Sequence, residues 1–290
     1  MRQQNEVKPT QFSNMREVWL ETLSLLAKPF PSVELPDWPM WNEITGGFRS
    51  REYTILCGST GAGKTTFLAN MSAQLLKRGV KHFVMSVETG RHDYLIRVVS
   101  VLEGRDLNIG KAVSADALAQ LHVKHTQLLE SGVIEFSLYE NRVPVEQLIA
   151  DLKFMYAKGC RIAFIDNINF FMEVTNSRDQ VVEMDRVTHE LIVFCKQVDM
   201  HIVMVMHPRK CEGEARILTE FDIKGSSTAV QEAHNVFLFN RPLIRDVENG
   251  KRHITDREFL VRKMRRRGWN FGRTIIFNNR FTKYVEEDVV

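Results

Sequence analysis

The chain has 290 residues, 44% of them hydrophobic, and a formal net charge of +3. That size supports one large buried core with an appendage. No stretch is long and apolar enough to span a membrane, so a membrane partner is not expected.

Met1 to Glu6 has the pattern of neither a signal peptide nor a transit peptide. Phe12 to Ala27 comes next as an amphipathic helix, with Phe12, Met15, Val18, Trp19, Leu23 and Leu26 at helical spacing. Lys28-Pro29-Phe30-Pro31 ends it, and Pro36 and Pro39 predict an extended continuation. A short helix set apart by such a linker must bury its apolar stripe, against a neighbouring subunit or its own core. The chain is therefore read as an N-terminal helix and arm over 1–45 and a core over 46–290.

The core alternates strand and helix patterns. Strands are predicted at 53–57, 82–87, 133–138, 161–165, 201–206 and 235–240, and helices at 65–78, 91–103, 114–130, 144–157 and 179–198. This alternation implies an α/β fold with a mainly parallel central sheet and helices on both faces. Two further strands, about 257–263 and 273–277, close the chain. His122 and His125 share the face of one helix and read as surface histidines.

Gly58-Ser59-Thr60-Gly61-Ala62-Gly63-Lys64-Thr65 is a complete P-loop, set between an apolar strand and a helix that opens with Thr66. Its glycines let backbone N–H groups close around phosphate oxygens. The Lys64 ammonium reaches the outer phosphates, and the Thr65 hydroxyl is a Mg²⁺ ligand. The helix N-terminus points its positive end at the same anion. An NTP such as ATP, with Mg²⁺, is the expected cofactor.

Three other strands end on polar groups, at the sheet edge where parallel sheets bind ligands. Asp166 ends an apolar run, as a Mg²⁺-holding carboxylate would. Glu88 comes after Phe83-Val84-Met85-Ser86-Val87 and reads either as a group that orients or deprotonates an attacking water or as a carboxylate at the start of the next helix. His207 comes after Ile202-Val203-Met204-Val205-Met206 and is placed to hydrogen-bond a terminal phosphate. Arg209 and Lys210 come next, opening a loop that runs to about Thr228.

The charge is uneven. Arg241 to Lys283 carries 13 Lys and Arg against 4 Asp and Glu, leaving the rest of the chain net acidic. That segment suits a polyanion partner. Within it, Lys263 and Arg265 read either as a basic rim or as cations that reach a neighbour's nucleotide. The four cysteines, Cys57, Cys160, Cys195 and Cys211, form no CxxC pair and sit near no His at zinc-ligand spacing. No zinc site is expected, and three of the four sit in apolar runs that suggest buried free thiols in a reducing compartment.

The P-loop, then Ser86-Val87-Glu88, Phe164-Ile165-Asp166-Asn167, His207-Pro208-Arg209-Lys210, Lys224-Gly225-Ser226-Ser227 and Gln231-Glu232-Ala233-His234-Asn235 together resemble the helicase domain of the Twinkle-type and phage primase–helicases. These belong to the DnaB-like ring helicases of RecA fold. The resemblance covers residues 12 to about 280. It implies a RecA-like P-loop ATPase in a hexameric ring that hydrolyses NTP between subunits and moves 5′→3′ on single-stranded DNA at a fork. Glu88 would be the base, His207 the phosphate sensor, and Arg265 a finger acting in trans with Lys263 beside it. Arg241 would pack near the base or ribose, and Phe277 would stack on the base. Arg209, Lys210, Lys224, Gly225 and Ser226 would grip the DNA backbone, and the helix at 12–27 would dock on the adjacent subunit.

His234 stands where the family often has Asp. No primase-like or zinc-binding portion lies in these 290 residues, so priming is not expected. A RecA-like recombinase or regulatory DNA-dependent ATPase is the alternative on the same fold. A mitochondrial matrix nucleoid and a bacterial or phage-infected cytoplasm both fit the sequence.

Overall fold

The computed structural model describes residues 14–27, 31–107, 113–139, 141–171, 177–209, 218–224, 227–240, 257–265, 273–280 and 283–287. The chain divides after Pro31 into two units. The first contains α1 (Met15–Ala27), whose Met15, Trp19 and Leu26 side chains are 88%, 54% and 71% exposed. Phe12 of the predicted stripe lies outside the described residues.

The second unit begins with β1 (Ser32–Val33), α2 (Pro39–Thr45), β2 (Phe48–Arg49), β3 (Tyr53–Cys57) and α3 (Lys64–Lys77). It continues through β4 (His82–Ser86), α4 (Arg91–Glu103), α5 (Ala115–Leu129), β5 (Ile134–Phe136), α6 (Val145–Ala157), β6 (Ile162–Asp166) and α7 (Ser177–Gln197). After β7 (His201–Met206) come α8 (Ser227–Glu232), β8 (Asn235–Asn240), β9 (Arg257–Met264), β10 (Arg273–Arg280) and β11 (Lys283–Glu287). Short 3₁₀ turns occupy Ile168–Phe171 and Glu220–Asp222.

The main sheet runs β11-β10-β9-β8-β3-β7-β6-β4-β5 among the described residues. From β8 to β5 all neighbours are parallel, whereas β9, β10 and β11 add on antiparallel. Every residue of β3, β4, β6, β7 and β8 is buried, as a parallel sheet covered on both faces requires. Side chains alternate between two cores. Ile55, Phe83 and Ile202 enter one with α6 and α7, and Leu56, Val84 and Val203 enter the other with α2 and α3. No described helix is long and apolar enough to cross a membrane.

Three details differ from the sequence reading. Pro39 does not extend the chain; it opens α2, where its fixed φ and missing N–H suit the first helical turn. Residues 32–45 accordingly pack with the second unit, through the fully buried Trp38 and Trp41. His125 is buried rather than on the surface, with Nε2 2.7 Å from Glu103 Oε1.

Trp38 stacks on Phe67 at 4.9 Å between ring centroids, and its indole N–H donates to the Tyr284 carbonyl at 2.9 Å. It joins α2, α3 and β11 in one contact. Trp38→Ala is expected to destabilise the fold by about 3–5 kcal/mol, read as a lower denaturant midpoint. Cys57, Cys160 and Cys195 are buried free thiols, and burial pushes Cys160 up to about 11. Cys211 lies outside the described residues.

Candidate nucleotide site

The strand order decides what meets at the C-terminal edge. β3, β7, β6 and β4 are consecutive neighbours, so the segments after them stand side by side. Those segments carry the P-loop, His207, Asp166 at the last position of β6, and Glu88. Residues far apart in sequence thereby share one cavity of about 240 Å³. Thr60, Gly61, Gly63, Lys64, Thr65, Thr66, Glu88, Thr89, Arg97, Asp166 and His207 line it.

The P-loop is held tightly enough that glycine is required at two points. Gly63 has φ +103°, and a Cβ there would come within 2.5 Å of the Tyr284 hydroxyl. A Cβ on Gly58 would meet the Phe239 carbonyl at the same distance. Ala62 is fully buried, and its carbonyl accepts from Arg257 Nε on β9. Ser59, Thr60 and Gly61 form the exposed rim.

Lys64 Nζ donates to the Gly58 carbonyl at 2.6 Å and to the Ser59 carbonyl at 3.0 Å, bending back over the loop. Burial pushes this ammonium below its ordinary range, and the Asp166 charge opposes that shift. Burial likewise raises the Asp166 carboxyl, opposed first by its hydrogen bond from Thr65 and then by Lys64. Thr65 Oγ1 donates to Asp166 Oδ2 at 2.6 Å.

A metal–nucleotide complex suits these groups. One hydroxyl and one carboxylate side by side are the few protein ligands that Mg²⁺ takes when phosphates and waters supply the rest. No group of three His, Cys, Asp or Glu side chains among the described residues could hold a metal ion by itself.

Glu88 is half exposed and His207 mostly buried, with their nearest side-chain atoms 3.7 Å apart. That is too far for a direct hydrogen bond. Asn167 fills the gap: its Nδ2 lies 2.7 Å from Glu88 Oε2 and 3.1 Å from His207 Nε2. Burial, then the Lys64 charge, push His207 below its ordinary range, and Glu88 opposes this.

The rest of the expected set is placed elsewhere. Lys263 Nζ donates to the Val230 and Gln231 carbonyls at 2.8 and 2.6 Å, and Arg265 Nη2 donates to the Gln231 carbonyl at 2.6 Å. The Arg265 N–H bonds the His234 carbonyl, at the start of β8, whereas the Phe239 carbonyl near its end abuts Gly58. Arg265 thus sits about one strand length, roughly 17–20 Å, from its own P-loop. His234 clasps the start of β3: its Nδ1 accepts from the Tyr53 N–H at 3.1 Å, and its N–H donates to the Tyr53 carbonyl at 3.0 Å. The imidazole thus supplies the acceptor that a carboxylate would offer there.

Phe277 does not serve a nucleotide. Its ring is fully buried beside Trp38, Phe67 and Phe259 and presents no face to a base. The inward side of β10 claims it for the core, and the expectation of stacking is withdrawn. Arg209 is exposed, its N–H bonded to the Asp222 carbonyl and its Nε to the Ile223 carbonyl. Lys224 donates its N–H to the His207 carbonyl at 3.0 Å. Lys210, Gly225, Ser226 and Arg241 lie outside the described residues.

Three residues that sequence reading missed belong here. Asn167 gave a weak signal as the polar residue after Asp166. Arg97, on α4, has Nη1 3.3 Å from Thr66 Oγ1. Arg257 gave none, because it meets Ala62 only through the β8–β9 pairing.

Comparison with known proteins agrees with this arrangement. Residues 37–286 match the DnaB-like helicase C-terminal domain family. A solved structure described as an ATPase domain is similar, with a TM-score of 0.75 and 14% identity over 96% of this chain and 100% of that one. Another, a DnaB-like replicative helicase described with its interactions with primase, gives 0.70 and 12% over 95% of this chain and 67% of that one. The fold is the RecA-like ATPase fold, and the chain belongs to the DnaB-like helicase C-terminal domain family.

Proposed function

We propose that this chain is the motor domain of an ATP-driven replicative DNA helicase of the Twinkle type. In this reading it works as a hexameric ring that moves 5′→3′ on single-stranded DNA. One observation carries the reading: Lys64, Thr65, Asp166, Glu88 and His207 converge on one cavity, while Arg265 sits a strand length away with Lys263. Such a site is incomplete within one subunit and is completed by a neighbour. Head-to-tail contacts of that kind close into rings.

Each residue has one task. Lys64 and the P-loop N–H groups bind the outer phosphates of ATP, and Thr65 with Asp166 holds Mg²⁺, which neutralises charge on those phosphates. Glu88 accepts the proton of the attacking water. His207 faces the terminal phosphate. Arg265 of one subunit stabilises the charge that develops in the next. Arg209 and Lys224 bind DNA phosphates, a sequence-tolerant and salt-sensitive contact. The Pro208–Ile223 bridge and the His207–Lys224 bond tie that segment to the phosphate-facing histidine. The exposed apolar side chains of α1 dock on an adjacent subunit.

Lys263 carries a pH signature. Burial, with the Arg265 charge second, pushes its ammonium down to about 8. Below that pH it is charged and can serve a neighbour's phosphates; above it the charge is lost. Under assembling conditions, kcat/KM for ATP should fall as pH rises through about 8 and hold to higher pH in Lys263→Arg. A pH–rate series checks this.

The test of the function is strand displacement from a forked duplex with ATP and Mg²⁺. Unwinding by the wild type and none by Lys64→Ala is the expected result. DNA-stimulated hydrolysis without unwinding would replace this reading with a recombinase or regulatory ATPase.

A further inference from the structure

The gap between Glu88 and His207 is spanned by a group with no assigned role. Asn167 is 4% exposed and sits directly after the last residue of β6. Its amide orientation is fixed by its surroundings. The Asn169 N–H donates to Asn167 Oδ1 at 3.0 Å, so the oxygen is committed to the backbone of the same turn. The NH₂ is then turned to Glu88 Oε2 and His207 Nε2, two residues that line the cavity. An inverted amide would set its oxygen against a carboxylate and its NH₂ against an N–H.

This arrangement dictates the state of both partners. A donor aimed at His207 Nε2 requires a lone pair there, so the ring proton sits on Nδ1. A donor on Glu88 Oε2 fixes the side chain's rotamer, which half exposure alone would leave free. One NH₂ group thus sets the rotamer of Glu88 and the tautomer of His207, with their facing edges 3.7 Å apart.

We propose that Asn167 is a positioning residue that couples the hydrolytic carboxylate to the phosphate-facing histidine. One amide holds both His207 Nε2 and Glu88 Oε2, so a displacement of either side chain is transmitted to the other. The inference rests on the assignment of Glu88 and His207 to NTP hydrolysis.

Asn167→Asp is the discriminating variant. It is isosteric and keeps the Oδ1 acceptor for Asn169, but it sets a carboxylate oxygen against Glu88 Oε2, so it is read together with the neutral Asn167→Ser and with the His207 tautomer. The proposal predicts a loss of kcat on the order of 10²-fold from misplacement of the base, with KM for ATP and affinity for ADP changed by no more than about twofold. Asn167→Ser, neutral and too short to reach either partner, is expected to lose turnover in the same way. In a His207→Ala background the Asn167→Asp effect should shrink, because the coupling is already broken.

A second readout needs no turnover. Nitrogen-15 shifts of the His207 ring in nucleotide-free protein should report Nδ1–H in the wild type and a proton on Nε2 in Asn167→Asp, where the new carboxylate accepts it. Wild-type kcat in both variants, or an unchanged His207 tautomer in Asn167→Asp, would overturn the proposal. Hydrolysis by the wild type without unwinding would overturn the helicase reading and leave this one standing.

Discussion

Glu88→Gln is expected to lower kcat for ATP hydrolysis by roughly 10²–10⁴-fold. The substitution keeps the side chain's length and its acceptor for Asn167 but removes the carboxylate that, in the proposed role, would take a proton from water. Glu88 stands beyond the end of β4, outside the P-loop, and no backbone group of the loop depends on it. Nucleotide affinity should therefore stay within about threefold of wild type, so the loss falls on kcat and not on binding. Steady-state kinetics with a parallel titration of a fluorescent ADP separates the two. A variant that turns over like wild type would remove Glu88 from the role of base.

The second large effect comes from the far end of the sheet. Arg265→Ala is expected to cost about 10³–10⁵-fold in kcat, the range in which arginine fingers act. Intact ATP binding to each subunit should accompany it. The reason is geometric: Arg265 is anchored through the His234 and Gln231 carbonyls, at the opposite end of β8 from its own P-loop. In the proposed ring its charge would reach a phosphate of another copy. Lys would not replace it fully, because the planar fork matches phosphate oxygens in a way that a point charge does not. A small loss, or a loss of ATP affinity in the isolated subunit, would place Arg265 in a structural role at the α8–β9 contact.

Much of this site was legible because it obeys a simple grammar. Buried parallel strands read as apolar runs, and the residues after three of them, Lys64, Glu88 and His207, line one cavity with Asp166 at the end of a fourth. The P-loop announced itself through glycines whose absent Cβ atoms leave room for Tyr284 and Phe239. What failed to show was set by contacts between distant segments. Arg257 reaches the P-loop only because β9 pairs with β8, and Asn167 gains its meaning from Glu88 and His207, neither near it in sequence. Phe277 was misread for the converse reason: an aromatic on a strand near the site looks the same whether it faces a ligand or the core. Trp38 and Phe67 decide that it faces the core. Pro39 was misread because a proline that keeps a chain extended and one that opens a helix differ only in the tertiary contacts of the residues beyond them. Here Trp41 and Ile44, both buried, draw that turn into the core.

The central claim is a shared site driven by DNA, and subunit mixing tests it most directly. Steady-state ATP hydrolysis would be measured with and without single-stranded DNA, at concentrations that permit assembly. The samples are wild type, Glu88→Gln alone, Arg265→Ala alone, and the two variants mixed. The account predicts strong DNA stimulation of the wild type, near silence from each variant, and partial recovery in the mixture. Recovery is expected because a Glu88→Gln subunit still supplies Arg265 to a neighbour whose Glu88 is intact. Hydrolysis indifferent to DNA, with Arg265→Ala fully active by itself, would contradict it and leave a self-contained ATPase.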